Sequence, residues 1–260
     1  MTADSQGIAG LMEGHDTPAK TGVCLVIPVL NEEEAIGGVL DRIPRDAVDE
    51  IIVADGGSKD RTVDFAIQKG ARVLDAGKGY GRACLEGATS AGDDCRAVVY
   101  MDGDGSDFPE KLRELISPIL DGNYDFVIAS RTRGVREPGS MAWHQIAAGQ
   151  VIGSLIGLLY GFRYTDMCAF RAIRRDSLLA LGMEEMTYGW NLEMQMKAAR
   201  FGLRILEIPV PYAKRGGGHS KVAGSFRGTF RAGTRILLTF MRVLTLPSGR
   251  PTSQKASFFK

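Results

Sequence analysis

The stretch VYMDGDGSDFPEKL, residues 99–112, decides how this chain is read. It opens on apolar Val99-Tyr100-Met101 and then sets Asp102, Asp104, Ser106 and Asp107 within one short turn. Acids packed this closely repel one another, so something positive belongs among them. Adjacent carboxylates on a tight, Gly-bearing turn suit a hard divalent cation with oxygen ligands, Mg²⁺ or Mn²⁺. Such an ion also bridges two phosphate oxygens. A calcium loop of the EF-hand kind is excluded. It needs Gly at its sixth position and Glu at its twelfth, where this chain has Asp107 and Arg113.

Outward from that turn, the same pattern recurs. GVCLVIPVL (22–30), DEIIVADGG (49–57), AVVYMDGDG (97–105) and YDFVIASR (124–131) are short, β-branched, apolar runs. Helical stretches separate them, which predicts a parallel sheet buried on both faces. NEEEAIGGVLDRIP carries Ala35, Ile36, Val39, Leu40 and Ile43 at helical spacing. DRTVDFAIQKG offers Asp60 as a helix start and Gly70 as a stop, and Pro109 marks another first turn. The first half is therefore β-α repeated, an architecture of nucleotide-binding type. Ligands of such sheets bind beyond the carboxyl ends of the strands. Here those ends carry Asn31-Glu32, Asp55-Gly56-Gly57-Ser58, Asp102-Gly103-Asp104 and Ser130-Arg131.

The bulk composition narrows the class. The chain has 260 residues, 44% hydrophobic and 24% charged, enough for one large α/β domain with a real core. A net charge of +1 gives no field to draw in nucleic acid. Cys24, Cys84, Cys95 and Cys168 form no C-x-x-C pair and read as reduced thiols of a cytoplasmic protein. His15, His144 and His219 are too scattered for a zinc site. The N-terminus lacks the basic-then-apolar order of a secretory signal. Residues 1–20 read as a flexible arm and 248–260 as a polar tail.

Two segments of the second half stand out. HQIAAGQVIGSLIGLLYGF (144–162) is apolar and Gly-rich, near the lower limit for a membrane span. It reads as a core or groove-lining helix, with a lipid-contacting helix as the competing reading. FRGTFRAGTRILLTFMRVL (226–244) mixes four arginines with Phe, Ile, Leu and Met. It predicts a basic amphipathic C-terminal helix over 226–247. That helix either packs with a solvated basic face or lies on an anionic membrane surface.

Taken in order, IPVLNEE, VADGGSKDRT, GKGYGRACLEG, MDGDGSDFPEKL, ASR, TDMCAFRAIRR and KRGGGHSKV resemble family 2 glycosyltransferases of the GT-A type. Within that group the chain is most similar to dolichyl-phosphate and polyprenyl-phosphate sugar transferases. The resemblance spans residues 22–225 and implies a GT-A domain over 21–225: α/β, Rossmann-like, a mostly parallel sheet flanked by helices, followed by the amphipathic helix. It implies that Pro28, Asn31 and Glu32 line the base and ribose pocket, that Asp55 hydrogen-bonds the base or ribose, and that Asp102 and Asp104 form the D-x-D motif. Asp104 then ligates the metal, Asp102 contacts metal or donor, and Arg131 lies near the phosphates. Arg215, Ser220 and Lys221 match an R-x-x-G-x-S-K segment that closes over the diphosphate and the acceptor phosphate. Two departures stand: one carboxylate is missing at Asp55-Gly56-Gly57-Ser58, where the family often has D-D-G-S, and Ser106 replaces a frequent Gln.

The resemblance implies an inverting, metal-dependent transfer from a UDP- or GDP-linked sugar to a polyprenyl phosphate, made peripherally on the cytoplasmic membrane face. Cations stabilise the charge that builds on the leaving diphosphate. The alternative keeps the donor chemistry but uses a soluble small-molecule or polysaccharide acceptor, with Asp166 or Glu193 as the general base a hydroxyl requires. Glu193, among Leu192, Met194 and Met196, is the candidate for an apolar, acid-raising environment. A nucleotidyltransferase is disfavoured because IPVLNEEEA lacks a Gly-rich, Arg-bearing loop, and intact acids and arginines argue against an inactive binding module. Oligomerisation is left open.

Overall fold

The structure is a computed structural model that describes residues 20–217 and 226–246. Among the described residues, seven strands form one sheet in the order β3-β2-β1-β4-β6-β5-β7. The strands are β1 (Val23–Val29), β2 (Glu50–Asp55), β3 (Arg72–Asp75), β4 (Ala97–Tyr100), β5 (Phe126–Ser130), β6 (Arg171–Arg174) and β7 (Ile205–Pro209). All pairings are parallel except those of β6, which runs antiparallel to both β4 and β5. Every residue of β1, β4 and β5 is buried, as continuous apolar runs require in a sheet covered on both faces.

Among the described residues there are eight α-helices: α1 (Ile36–Asp41), α2 (Thr62–Gln68), α3 (Tyr80–Ser90), α4 (Leu112–Leu120), α5 (Trp143–Tyr160), α6 (Arg175–Leu181), α7 (Trp190–Arg200) and α8 (Phe226–Leu244), of which α5 and α8 pack on α7. Gly70 ends α2 in a left-handed turn at φ 75°. Asp60 braces the start of α2, accepting from the Thr62 amide at 3.0 Å, although Arg61 is the capping position. Pro109 opens a short 3-10 turn that leads into α4.

The strand order reverses between β1 and β4, and Pro28 marks the place. The β1–β4 ladder runs from Val23↔Ala97 to Val26↔Tyr100, while β1 goes on pairing with β2 as far as Val29↔Asp55. Pro28 has no N–H to give to a ladder, so the two strands part there. In open α/β sheets this parting is the ligand crevice. Gly103 lets the acid turn lie against the end of β1, since a Cβ there would meet Val29 Cγ1 at 2.7 Å.

The two segments of the second half differ from expectation. Helix α5 buries only Gly149, Gly153 and Ile156, and its other face is exposed, so it is no core helix. In α8, Arg235 and Arg242 turn toward the protein and pair with glutamates, whereas Leu237, Leu238 and Met241 are exposed. Arg235 and Arg242 thus pair with glutamates while staying partly exposed, and the side chains of Arg227 and Arg231 lie outside the described residues. The four cysteines are free and buried. Among the described residues, no helix is long and apolar enough to cross a membrane.

Candidate active site

The acid turn after β4 divides its three carboxylates between two jobs. Asp107 is turned inward, with its Oδ2 accepting from the Asp102 amide at 3.3 Å. Burial beside Asp102 and Asp104 pushes its carboxyl well up. Asp102 stays half-buried and receives the Tyr80 phenol on Oδ1 at 3.2 Å. Burial first, then the neighbouring Asp104, raise Asp102 to about 6. Asp104 is buried; its Oδ1 accepts from the Ser106 amide at 3.0 Å and the Ser106 hydroxyl at 2.5 Å. Its Oδ2 lies 2.9 Å from Arg215 Nη1.

From Asp104 a polar chain runs across the carboxyl ends of the sheet. Arg215 Nη2 donates to Glu32 Oε1 at 2.7 Å, which ties the end of β1 to the end of β4. On the other side, the Ser106 hydroxyl, whose one proton goes to Asp104, lies 3.1 Å from the Tyr212 phenol and can accept from it. The Arg131 guanidinium lies 4.9 Å from the centre of the Tyr212 ring, a cation–π contact. Arg131 then forks onto Asp166, Nε to Oδ2 and Nη2 to Oδ1, both at 2.8 Å. Burial alone would raise Asp166, but the Arg131 guanidinium, with the amides of Arg131 and Met167, more than reverses it. The carboxyl is held below its ordinary value. Glu207 of β7 supports the arrangement by accepting from the Thr165 and Asp166 amides.

Asn31 and Asp55 flank this chain at the ends of β1 and β2. Asn31 adopts a left-handed φ of 51°, and its Oδ1 accepts from the Lys59 amide at 2.8 Å. Asp55 braces its own turn, accepting from the Gly57 amide and from the Ser58 amide and hydroxyl. Pro28 sits at the parting of the strands, as above. Ser220 and Lys221 lie outside the described residues.

Glu193 requires a correction. It was expected as an acid in apolar company, facing an acceptor. Helix α7 instead turns it fully inward, where it meets Lys197 Nζ at 2.8 Å and Arg242 Nη2 at 2.9 Å. It also accepts from the amides of Glu184 and Glu185. Its partners are cations and backbone that join α7 to α8, and none belongs to the polar chain just described. Tyr80, Tyr212 and Glu207 were missed in the sequence reading. The glycines flanking Tyr80 in GKGYG were the available signal.

A divalent cation of the Mg²⁺ kind needs hard oxygen donors. No group of three or more His, Cys, Asp or Glu side chains among the described residues is arranged to hold one. Asp102 and Asp104 supply hard oxygens, and Mg²⁺-type sites commonly take one or two carboxylates and complete their shell with substrate phosphates and water. The guanidinium seated on Asp104 shows that the turn accepts positive charge. The residues fit such an ion provided that a diphosphate comes with it.

Residues 24–182 match the model of glycosyl transferase family 2. The chain is 34% identical over 232 residues to an uncharacterized glycosyltransferase of Mycobacterium tuberculosis, covering 87% of this chain and 100% of that protein. It is 35% identical over 227 residues to the undecaprenyl-phosphate mannosyltransferase of Micrococcus luteus, covering 79% and 89%. The solved glucosyl-3-phosphoglycerate synthase of Mycobacterium tuberculosis, bound to Mn²⁺, UDP and glucosyl-3-phosphoglycerate, superposes with TM-score 0.65 at 22% identity, covering 89% of this chain and 81% of that one. That likeness establishes a shared GT-A-like fold. On the family model and the sequence relatives together, the chain belongs to glycosyl transferase family 2 and is a glycosyltransferase.

Proposed function

We propose that this glycosyltransferase moves a sugar, with inversion, from a UDP- or GDP-linked donor to a polyprenyl phosphate at a membrane surface. The observation that carries the acceptor is the state of the two candidate bases. Asp166 is forked by Arg131, and Glu193 is paired with Lys197 and Arg242. A hydroxyl acceptor needs a carboxylate to take its proton. A phosphate acceptor is already an anion and needs none.

The lipid part of the reading rests on surface. Helix α5 contains no charged residue, and its Val151, Leu155, Leu158 and Leu159 are exposed, Leu158 at 84%. Trp143 opens the same helix at 80% exposure. With Leu237, Leu238 and Met241 of α8, these side chains suit shallow insertion at an interface. The Micrococcus luteus relative, named for an undecaprenyl-phosphate substrate, supports the same acceptor class.

In this reading Asp102 and Asp104 hold Mg²⁺ or Mn²⁺ with the donor diphosphate, and the ion stabilises the charge that develops on it. Asn31, Glu32 and Asp55, at the ends of β1 and β2, receive the nucleoside. Asp166 fixes the Arg131 fork, and Tyr212 lies against the guanidinium, so Arg131 offers a preset positive charge at the end of β5. Arg215 adds a second from the opposite side. The resemblance assigns Ser220 and Lys221, outside the described residues, to the diphosphate and the acceptor phosphate.

The test is transfer by purified protein from UDP-glucose and GDP-mannose, each with Mg²⁺ or Mn²⁺, in vesicles containing undecaprenyl phosphate. A metal-dependent glycolipid that disappears with Asp104→Ala supports the proposal. A second reading comes from the fold likeness to a synthase whose product is glucosyl-3-phosphoglycerate. Transfer to 3-phosphoglycerate and none to lipid would establish a soluble phosphorylated acceptor instead.

A further inference from the structure

Both oxygens of Asp104 are engaged. Oδ1 is held by Ser106, two residues along the same turn, while Oδ2 is held by Arg215 from a distant segment. That segment is stitched alongside the turn by backbone: the Ala213 amide donates to Ser106 O at 3.0 Å, and the Gly216 amide to Asp104 O at 2.8 Å. The guanidinium is therefore delivered by chain geometry, and it bridges Asp104 to Glu32 across the crevice. Its Nε is buried and, among the described residues, has no hydrogen-bond partner.

We infer that Arg215 is a resident cation that latches the crevice and must leave Asp104 before a divalent ion can bind there. This rests on the reading that Asp102 and Asp104 hold the ion. Two cations cannot share Oδ2 at contact distance without strong repulsion. An incoming metal alone therefore meets a competitor already in place. A metal arriving with a diphosphate brings anionic oxygens to which the displaced guanidinium turns, using the Nε–H now without a partner. The latch makes metal and nucleotide enter together. It also keeps the paired carboxylates neutralised between turnovers.

The experiment measures Mn²⁺ binding by electron paramagnetic resonance, with and without UDP, on the intact chain. Wild type is expected to bind Mn²⁺ weakly alone and at least tenfold more tightly with UDP. Arg215→Met is expected to bind Mn²⁺ alone at least tenfold more tightly than wild type, and to gain less from UDP. Arg215→Gln, which keeps a polar head without the charge, serves if the Met variant does not fold and is expected to behave alike. Arg113→Met, at an exposed arginine paired with Asp46, controls for net charge and is expected to match wild type. If neither Arg215 variant gains affinity for Mn²⁺ alone while wild type still binds it with UDP, the latch is overturned and the metal reading stands. Equal gain in Arg113→Met overturns it too, as a bulk charge effect. No Mn²⁺ uptake by wild type, with or without UDP, overturns the latch and the metal reading together.

Discussion

The Tyr80 phenol donates to Asp102 Oδ1 at 3.2 Å, joining the first residue of α3 to the first acid of the turn after β4. A hydroxyl aimed at a carboxylate favours its ionised form, and a hydrogen bond to a charged group contributes about 1.5–3 kcal/mol. Tyr80→Phe removes that donor, together with the phenol's contacts to Asn191 and Cys84. Asp102, already at about 6, is expected to climb further. The measurement is the pH profile of Mn²⁺ binding in the presence of UDP. Its rise is expected to shift alkaline by up to about one unit, and an unmoved profile would mean that the contact has no electrostatic role.

Tyr80 is held where it is by its neighbours. The Arg82 amide donates to Met186 O at 3.0 Å, so the start of α3 rests on the 185–186 backbone. A Cβ on Gly81 would stand 2.1 Å from Glu185 O and 2.9 Å from Met186 Cα, and backbone there cannot swing aside. Gly81→Ala is expected to destabilise the fold by about 2 kcal/mol or more. That corresponds to a melting temperature lower by roughly 4–8 °C. Gly92→Ala, with no atom within 4 Å of its Cβ, is the matched control and is expected to change little. Equal melting temperatures for the two variants would contradict the close packing of α3 on that loop.

Much of this site was legible because it is local. Asp102, Asp104, Asn31 and Asp55 each follow an apolar run directly, so the strand that carries them also places them. Asp166 and Arg131 were legible as residue types but not as a pair, because their fork joins positions far apart in sequence. Strand β6 was not legible at all. Its RAIR entered the sequence reading only inside the family stretch TDMCAFRAIRR, and the structure buries Arg171 fully. It donates to the carbonyls of Cys168, Ala169 and Asn191, so backbone oxygens replace the carboxylate a buried cation usually takes. No periodicity announces such a residue. Glu193 was misread for the opposite reason. Its neighbours in sequence are apolar, but the cations that meet it come from the next turn of α7 and from α8.

Glu193 therefore makes a sharp prediction. Removing one partner of a buried pair leaves the other unpaired and typically costs about 3–5 kcal/mol. Glu193→Ala strands Lys197, itself buried, and frees Arg242 from α7. It is expected to destabilise by that amount and to loosen α8, read as faster amide exchange over 233–244. Glu193→Gln keeps the shape and an acceptor, and is expected to retain kcat within a few fold once folded. A hundredfold loss of kcat in Glu193→Gln, at an unchanged melting temperature, would restore Glu193 as a catalytic base.

The last prediction concerns stability without metal. The folded pKa of Asp102 lies above its ordinary 3.8, at about 6. Between those values the folded chain holds a proton that the unfolded chain has lost, so stability attributable to Asp102 falls as pH rises from about 4 to 6. Most paired carboxylates do the reverse. At roughly 1.4 kcal/mol per unit the effect is at most about 3 kcal/mol, less for the part of the side chain that water reaches. Asp102→Asn cannot ionise and escapes this loss. In chelator-treated protein the variant is therefore expected to melt above wild type at pH 7 by a few degrees, with the difference vanishing near pH 4. Melting curves across that range decide it. A variant that melts below wild type at pH 7 would show that Asp102 is held by cations of the protein strongly enough to favour its charge, and that the turn needs no ion from solution.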